Sequence, residues 1–170
     1  MKDGLPADVT AHRRPLWAPW RIEYIAAPKA ESCFLCEKAR AHDEAAHIVA
    51  RGQRAFVLLN TFPYNSGHLL IAPYRHVPDI SDLDEAEFSE LMALALRAKD
   101  VMTHALHPQG FNFGFNIGEI AGAGVAEHVH GHLVPRWAGD TNFMPVLADT
   151  RVVPQALADT ARLLRDAWQA

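Results

Sequence analysis

EHVHGHLVPRW, residues 127–137, places His128, His130 and His132 at alternate positions with Val129 and Gly131 between them. Side chains on a β-strand alternate between its two faces. As a strand, the segment would point all three imidazoles one way and Val129, Gly131 and Leu133 the other. Packing alone does not call for three adjacent polar rings on one face. A metal ion and a phosphate group are the two ligands that such a row suits. Alternate histidines can chelate one ion. A neutral imidazole is also a competent nucleophile near pH 7, attacking through one nitrogen while the other donates to a backbone carbonyl.

Outward from this segment, the chain alternates apolar runs with turn signals. Upstream lies a glycine-bearing loop, with Gly118, Gly122 and Gly124, whose backbone N–H groups could approach an anion closely. Before it, FNFGFNIG (111–118) alternates Phe111, Phe113, Phe115 and Ile117 with Asn112, Gly114 and Asn116, as a strand with one buried face would. RAFVLLN (54–60) and GHLLIAPY (67–74) are β-compatible runs joined by the turn-forming TFPYNS, which predicts a hairpin with a long loop. From Ser81 the period becomes helical. Ser81 and Asp84 fit a capping box, and Phe88, Leu91, Met92, Ala95, Met102 and Leu106 follow as a core face. HPQG ends this helix near residue 107. CFLCEKARA predicts a short helix, and PQALADTARLLRDAWQA a C-terminal one. The fold class is α+β, a mainly antiparallel sheet of about five strands with one long helix and a C-terminal helix.

The 170 residues suit one domain. A net charge of −4 gives no basic excess for coating nucleic acid. The apolar runs are too short for a membrane-spanning helix, and the first residues lack the apolar stretch of a secretory signal, so a cytoplasmic protein is expected. Residues 1–16 read as a loose arm before a domain spanning 17–170. Trp17 and Trp20 then pack over the core or a partner subunit. Cys33 and Cys36 make a poor disulfide framework; half a zinc site, a redox pair and two buried thiols all fit them. Arg136 could meet a distal phosphate or form an exposed ion pair.

HVHGHLV resembles the His-φ-His-φ-His-φ-φ signature of the histidine-triad (HIT) superfamily, whose members cleave nucleotides at the α-phosphate through a phosphohistidine intermediate. NTFPYNSGHLLIAP, with Asn60 eight residues before His68, resembles the family's ribose-binding strand and its additional histidine. The resemblance covers roughly Trp17 to Pro145. It implies that His130 is the nucleophile, that the carbonyl of His128 orients it, and that His132 and His68 contact the phosphate or order the site. It also implies that Asn60 binds ribose hydroxyls and that Asn116 flanks the phosphate. Two departures stand out. Gly131 replaces a bulky apolar residue, and the loop lacks the usual Gly-Gln-Ser/Thr, so amides near Gly122, Gly124 and Val125 must substitute. PLWAPWRIEYI and VPRWAGDTNFMP look most like the bacterial diadenosine tetraphosphate phosphorylase branch, in which orthophosphate is the acceptor.

In some histidine-triad proteins two such cysteines bind structural zinc with a histidine after the second strand and the first triad histidine. Here that implies a site of Cys33, Cys36, His76 and His128. The family also implies a homodimer or a higher homo-oligomer acting on an adenine dinucleoside polyphosphate or AMP conjugate. Competing readings are a hydrolase or phosphoramidase of the same fold, a metalloenzyme with His128, His130 and His132 as ligands, and a nucleotide-binding regulator.

Overall fold

The structure is a computed structural model that describes residues 32–140 and 156–169. The expected arm, the domain start at residue 17, the tryptophans at 17 and 20 and the FMP stretch after Asn142 lie outside the described residues. Two short helices, α1 (Phe34–Arg40) and α2 (Asp43–Ala46), lead into strands β1 (Ile48–Arg51), β2 (Ala55–Leu59) and β3 (Leu69–Pro73). The long helix α3 (Glu85–Leu106) is followed by β4 (Gly110–Phe115), β5 (Gly131–Arg136) and helix α4 (Leu157–Gln169). The strands form one sheet in the order β1-β2-β3-β5-β4, with every pair antiparallel.

β2 and β3 are buried on both faces. Their alternation divides the core in two. Ala55, Val57, Leu59, Leu69 and Ile71 join Leu91, Ala95 and Met102 of α3 and Leu164 of α4. Phe56, Leu58, Leu70 and Ala72 pack with Leu35 of α1. Full burial of a side chain such as Leu91 or Leu164, both at 0% exposure, is worth about 1.5–3 kcal/mol. The same alternation decides where chemistry can sit. Leu133 joins the α3 side, so His132 faces the α1 side, opposite Leu70 of β3 and Gly114 of β4.

The expected hairpin and the helix stop hold, with His107 closing α3 at φ 50°. Three expectations are corrected. The capping box lies three residues further on than Ser81. Asp84 Oδ1 accepts from the Glu87 backbone at 2.8 Å, and Glu87 returns a carboxylate to the Asp84 N–H at 2.9 Å. Ser81 sits in a 3₁₀ turn, where its N–H and hydroxyl both donate to Asp79. The phenylalanine face of β4 is only half-buried among the described residues: Phe111 and Phe115 pack partly against the α3-side core, while Phe113 of this edge strand, and Ile117 beyond its end, are exposed. Finally, only the third triad histidine lies on a strand. β5 begins at Gly131, and residues 128–130 lie before the strand, with the Val129 N–H donating to the Val77 carbonyl at 2.7 Å.

Candidate active site

The β2–β3 connection carries His68 into the interior. Gly67 precedes it at φ 76°, where an added Cβ would lie 2.9 Å from Leu106 and 3.3 Å from Pro135. Only glycine meets both demands. His68 is fully buried, with Nε2 3.0 Å from His132 Nδ1. On its other side, Nδ1 receives the Tyr64 N–H at 3.1 Å and faces Asn60 Nδ2 at 3.2 Å. The Tyr64 ring covers the pair, 4.7 Å from His68 and 5.7 Å from His132 between centroids.

His130 is 3% exposed, and its Nδ1 lies 2.8 Å from the His128 carbonyl. A carbonyl only accepts, so Nδ1 carries the proton and Nε2 keeps the lone pair. Burial pushes the His130 pKa below its ordinary value, partly opposed by that hydrogen bond. Its ring lies 4.8 Å from that of His132. Burial, then the neighbouring His130, brings His132 down to about 4. At neutral pH His130 and His132 are therefore neutral rings, His130 presenting a lone pair.

Asn116 reaches His132 Nε2 and the Gly122 carbonyl, each at 3.4 Å, and so ties the glycine loop to the triad. Gly122 closes a 3₁₀ turn, Glu119–Ala121. Gly124 is exposed further along the loop, and the Val125 carbonyl accepts from His128 N at 3.5 Å. Arg136 forms an ion pair with Asp140 at 2.6 Å and donates to Asn112 at 2.9 Å.

The first triad histidine departs from the row. His128 Nε2 lies 2.9 Å from the Pro73 carbonyl and must donate to it, which leaves Nδ1 as a free ligand atom. That Nδ1 is 3.3 Å from Cys33 Sγ and 3.5 Å from Cys36 Sγ, while Cys36 Sγ is 3.4 Å from His76 Nδ1. Zn–S bonds of about 2.3 Å and Zn–N bonds of about 2.0–2.1 Å put tetrahedral sulfur and nitrogen ligands about 3.5 Å apart. The four ligand atoms all lie within 4.8 Å of one another. Cys33, Cys36, His76 and His128 are thus positioned to hold a metal ion, and their donor set suits zinc. Among the described residues this is the group with that geometry. Among the described residues the three triad histidines do not form such a group, contrary to the metalloenzyme reading, because the His128 ring is turned to the two thiols.

The structure brings His130, His132, His68, Asn60 and Asn116 together and sets His128 among the thiols. Sequence reading missed Tyr64, Pro73 and Val77. Tyr64 lay inside a stretch legible only as a turn, and Pro73 and Val77 act through carbonyls that any residue would supply.

A buried histidine cluster on an antiparallel sheet of this order defines a histidine-triad protein. The HIT domain model matches residues 42–139, and the chain belongs to that family. An AP-4-A phosphorylase of Mycobacterium tuberculosis is 42% identical over 162 residues, covering 90% of this chain and 83% of the relative. Bis(5'-adenosyl)-triphosphatase of Dictyostelium discoideum is 39% identical over 82 residues, 48% of this chain and 54% of its own length. Among solved structures, a Zn-bound histidine triad family protein from Mycobacterium smegmatis superposes with a TM-score of 0.65 at 28% identity, covering 81% of this chain and 94% of the other.

Proposed function

We propose that this chain cleaves dinucleoside polyphosphates of the diadenosine tetraphosphate type at the α-phosphate, with orthophosphate as acceptor. The observation that carries this reading is the His130 ring, buried and neutral, its Nδ1 proton held by the His128 carbonyl at 2.8 Å. Nε2 attacks the α-phosphorus, a P–N bond forms, and the bond to the bridging oxygen breaks as ATP departs. An orthophosphate oxygen then displaces His130 and releases ADP. His132 faces the transferring group and donates a hydrogen bond to it.

Asn60 has one N–H and one lone pair beyond its internal contacts for the ribose hydroxyls. Asn116 flanks the phosphate, and the amides around Gly122, Gly124 and Val125 take the role that a Gln-Ser loop fills elsewhere. Identity of 42% to a named AP-4-A phosphorylase over 90% of the chain supports this acceptor choice. The thiol–histidine site takes zinc, whose part is to hold α1 against the residue that orients His130. Reduced thiols in ligand positions suit a cytoplasmic location. The edge of β4, with Phe113 and Ile117 exposed, suits a homodimer or larger homo-oligomer.

The test is incubation with diadenosine tetraphosphate, with and without orthophosphate, beside a His130→Ala control. ADP plus ATP formed only with phosphate is the expected result. AMP plus ATP regardless of phosphate would make the acceptor water. No turnover of the dinucleotide would overturn the reading and favour an AMP–amine substrate or nucleotide binding alone.

A further inference from the structure

We infer that Asn60 is a positioning residue, which acts through His68 to fix the hydrogen-bonding direction of His132. The side chain of Asn60 is held at both ends. The Phe62 backbone N–H, 2.9 Å away, is a donor, so the amide oxygen must face it. The NH₂ group then faces His68 Nδ1 at 3.2 Å. The Tyr64 N–H reaches the same nitrogen at 3.1 Å. Two donors converge on His68 Nδ1, which must therefore be the bare nitrogen, with the proton on Nε2. That proton points at His132 Nδ1, 3.0 Å away. His132 accepts there and carries its own proton on Nε2, the nitrogen left to face a substrate.

The opposite polarity has one supporter, since Asn116 Nδ2 lies 3.4 Å from His132 Nε2 and would donate to a bare nitrogen. That contact is at the weak end of hydrogen-bond geometry. Turning that amide would set its oxygen against the Gly122 carbonyl, 3.4 Å away, so the opposing donor stays in place, but it is single and long. The two donors on His68 Nδ1, at 3.1 and 3.2 Å, outweigh it. The nine residues from Asn60 to His68 thus enclose one imidazole: Asn60 N–H donates to the His68 carbonyl at 2.9 Å, and His68 N–H to the Asn65 carbonyl at 3.2 Å. What the loop delivers is a donor, not an acceptor, at His132 Nε2.

The significance for catalysis rests on the reaction proposed above, but the proton positions do not, so the two are tested separately. Long-range ¹H–¹⁵N correlation of the imidazoles in the free, full-length protein at pH 7.5 should show His68 and His132 each with a bare Nδ1 and a protonated Nε2. His68→Gln and His132→Gln serve only for assignment. Asn60→Asp substitutes a charged acceptor for the donor, and a charge-assisted bond is about twice as strong as the neutral one left from the Tyr64 N–H, so His68 Nδ1 should gain a proton. A wild-type His68 protonated on Nδ1, or an Asn60→Asp spectrum with that nitrogen still bare, overturns the inference. The wild-type spectrum decides the polarity even if the variant fails to fold. In kinetics, Asn60→Asp also loses the N–H that reaches the ribose, so KM should rise as well and the readout is kcat at saturating substrate. Positioned proton donors supply about 10²–10⁴-fold, so kcat should fall at least tenfold. An unchanged kcat overturns the positioning role. Proton positions as assigned, with no dinucleotide turnover in wild type, would instead sink the proposed function and leave the relay standing.

Discussion

Replacing Gly131 by valine tests how this chain fills the space that the histidine-triad signature gives to a bulky apolar residue. Gly131 is buried, pairs with Phe115 and Ile71, and has no left-handed φ to forbid a side chain. A Cβ there would lie 3.3 Å from Phe113 Cε2 and 3.3 Å from Phe115 Cε1. Carbon pairs prefer about 3.5–4.0 Å, so a single methyl needs both rings to give by a few tenths of an ångström. Removing glycine's backbone freedom returns about 0.5–1 kcal/mol, close to the cost of that crowding. Gly131→Ala should therefore stay within about 0.5 kcal/mol of wild type. Valine adds two methyls against the same rings, and overpacking of this kind costs about 1–3 kcal/mol. A net loss of about 2 kcal/mol should lower Tm by about 4–8 °C in a chain of this length. Urea denaturation of Gly131→Val, Phe115→Leu and the double variant measures it, with a coupling of at least about 1 kcal/mol expected. A valine variant as stable as wild type, or a loss that Phe115→Leu does not relieve, would refute the claim that β4's rings stand in for the missing side chain.

Three further outcomes are expected. His132 sits at about 4 in the folded chain against about 6.5 unfolded. The unfolded chain thus binds the extra proton between those values, and stability falls as pH drops through that window by up to about 3 kcal/mol. Urea midpoints at pH 7.0 and 4.5 should show this, and His132→Asn should flatten that part of the slope. Metal analysis of purified protein should find about one zinc per chain; Cys36→Ser should lose most of it and melt earlier, and equal zinc in the variant would remove Cys36 from the site. Gly124→Gln should shift product from ADP toward AMP if the short loop side chain leaves room for orthophosphate, and an unchanged ratio would sink that explanation.

Much of the sheet was legible because it follows period two. The 54–60 and 67–74 runs alternate between two apolar layers, and a turn-rich loop separates them, so the hairpin could be read directly. β1 escaped because it is four residues long, with a register irregularity between Ile48 and Ala50. The long helix was clear from its apolar spacing, but Ser81 and Asp84 imitate a cap and the stronger Asp84–Glu87 box follows at once. At the site, residue types and spacing pointed to the histidines and cysteines. They could not show that His128 turns to the thiols while His130 and His132 face each other, because that depends on where β5 begins. Among the described residues, His47 Nδ1 is buried without a hydrogen-bond partner. Such a position depends on tertiary packing, which local pattern does not carry.

His128 offers two different parts of itself to two neighbours: its ring to the thiol cluster and its main-chain oxygen to His130. Side-chain replacement at 128 reports on the first and leaves the second chemically intact, because every residue brings the same carbonyl. A mild phenotype at this position would therefore say little about how His130 is oriented. Separating the two calls for a backbone edit, such as an ester in place of the 128–129 peptide bond, which spares the imidazole, weakens the carbonyl as an acceptor and also removes the Val129 N–H that donates to Val77. Selection on residue identity is blind to that oxygen in the same way. It can hold the oxygen's position only through the residues that fix the surrounding chain, among them Pro73 and Val77, whose own carbonyls anchor the His128 ring and the Val129 amide.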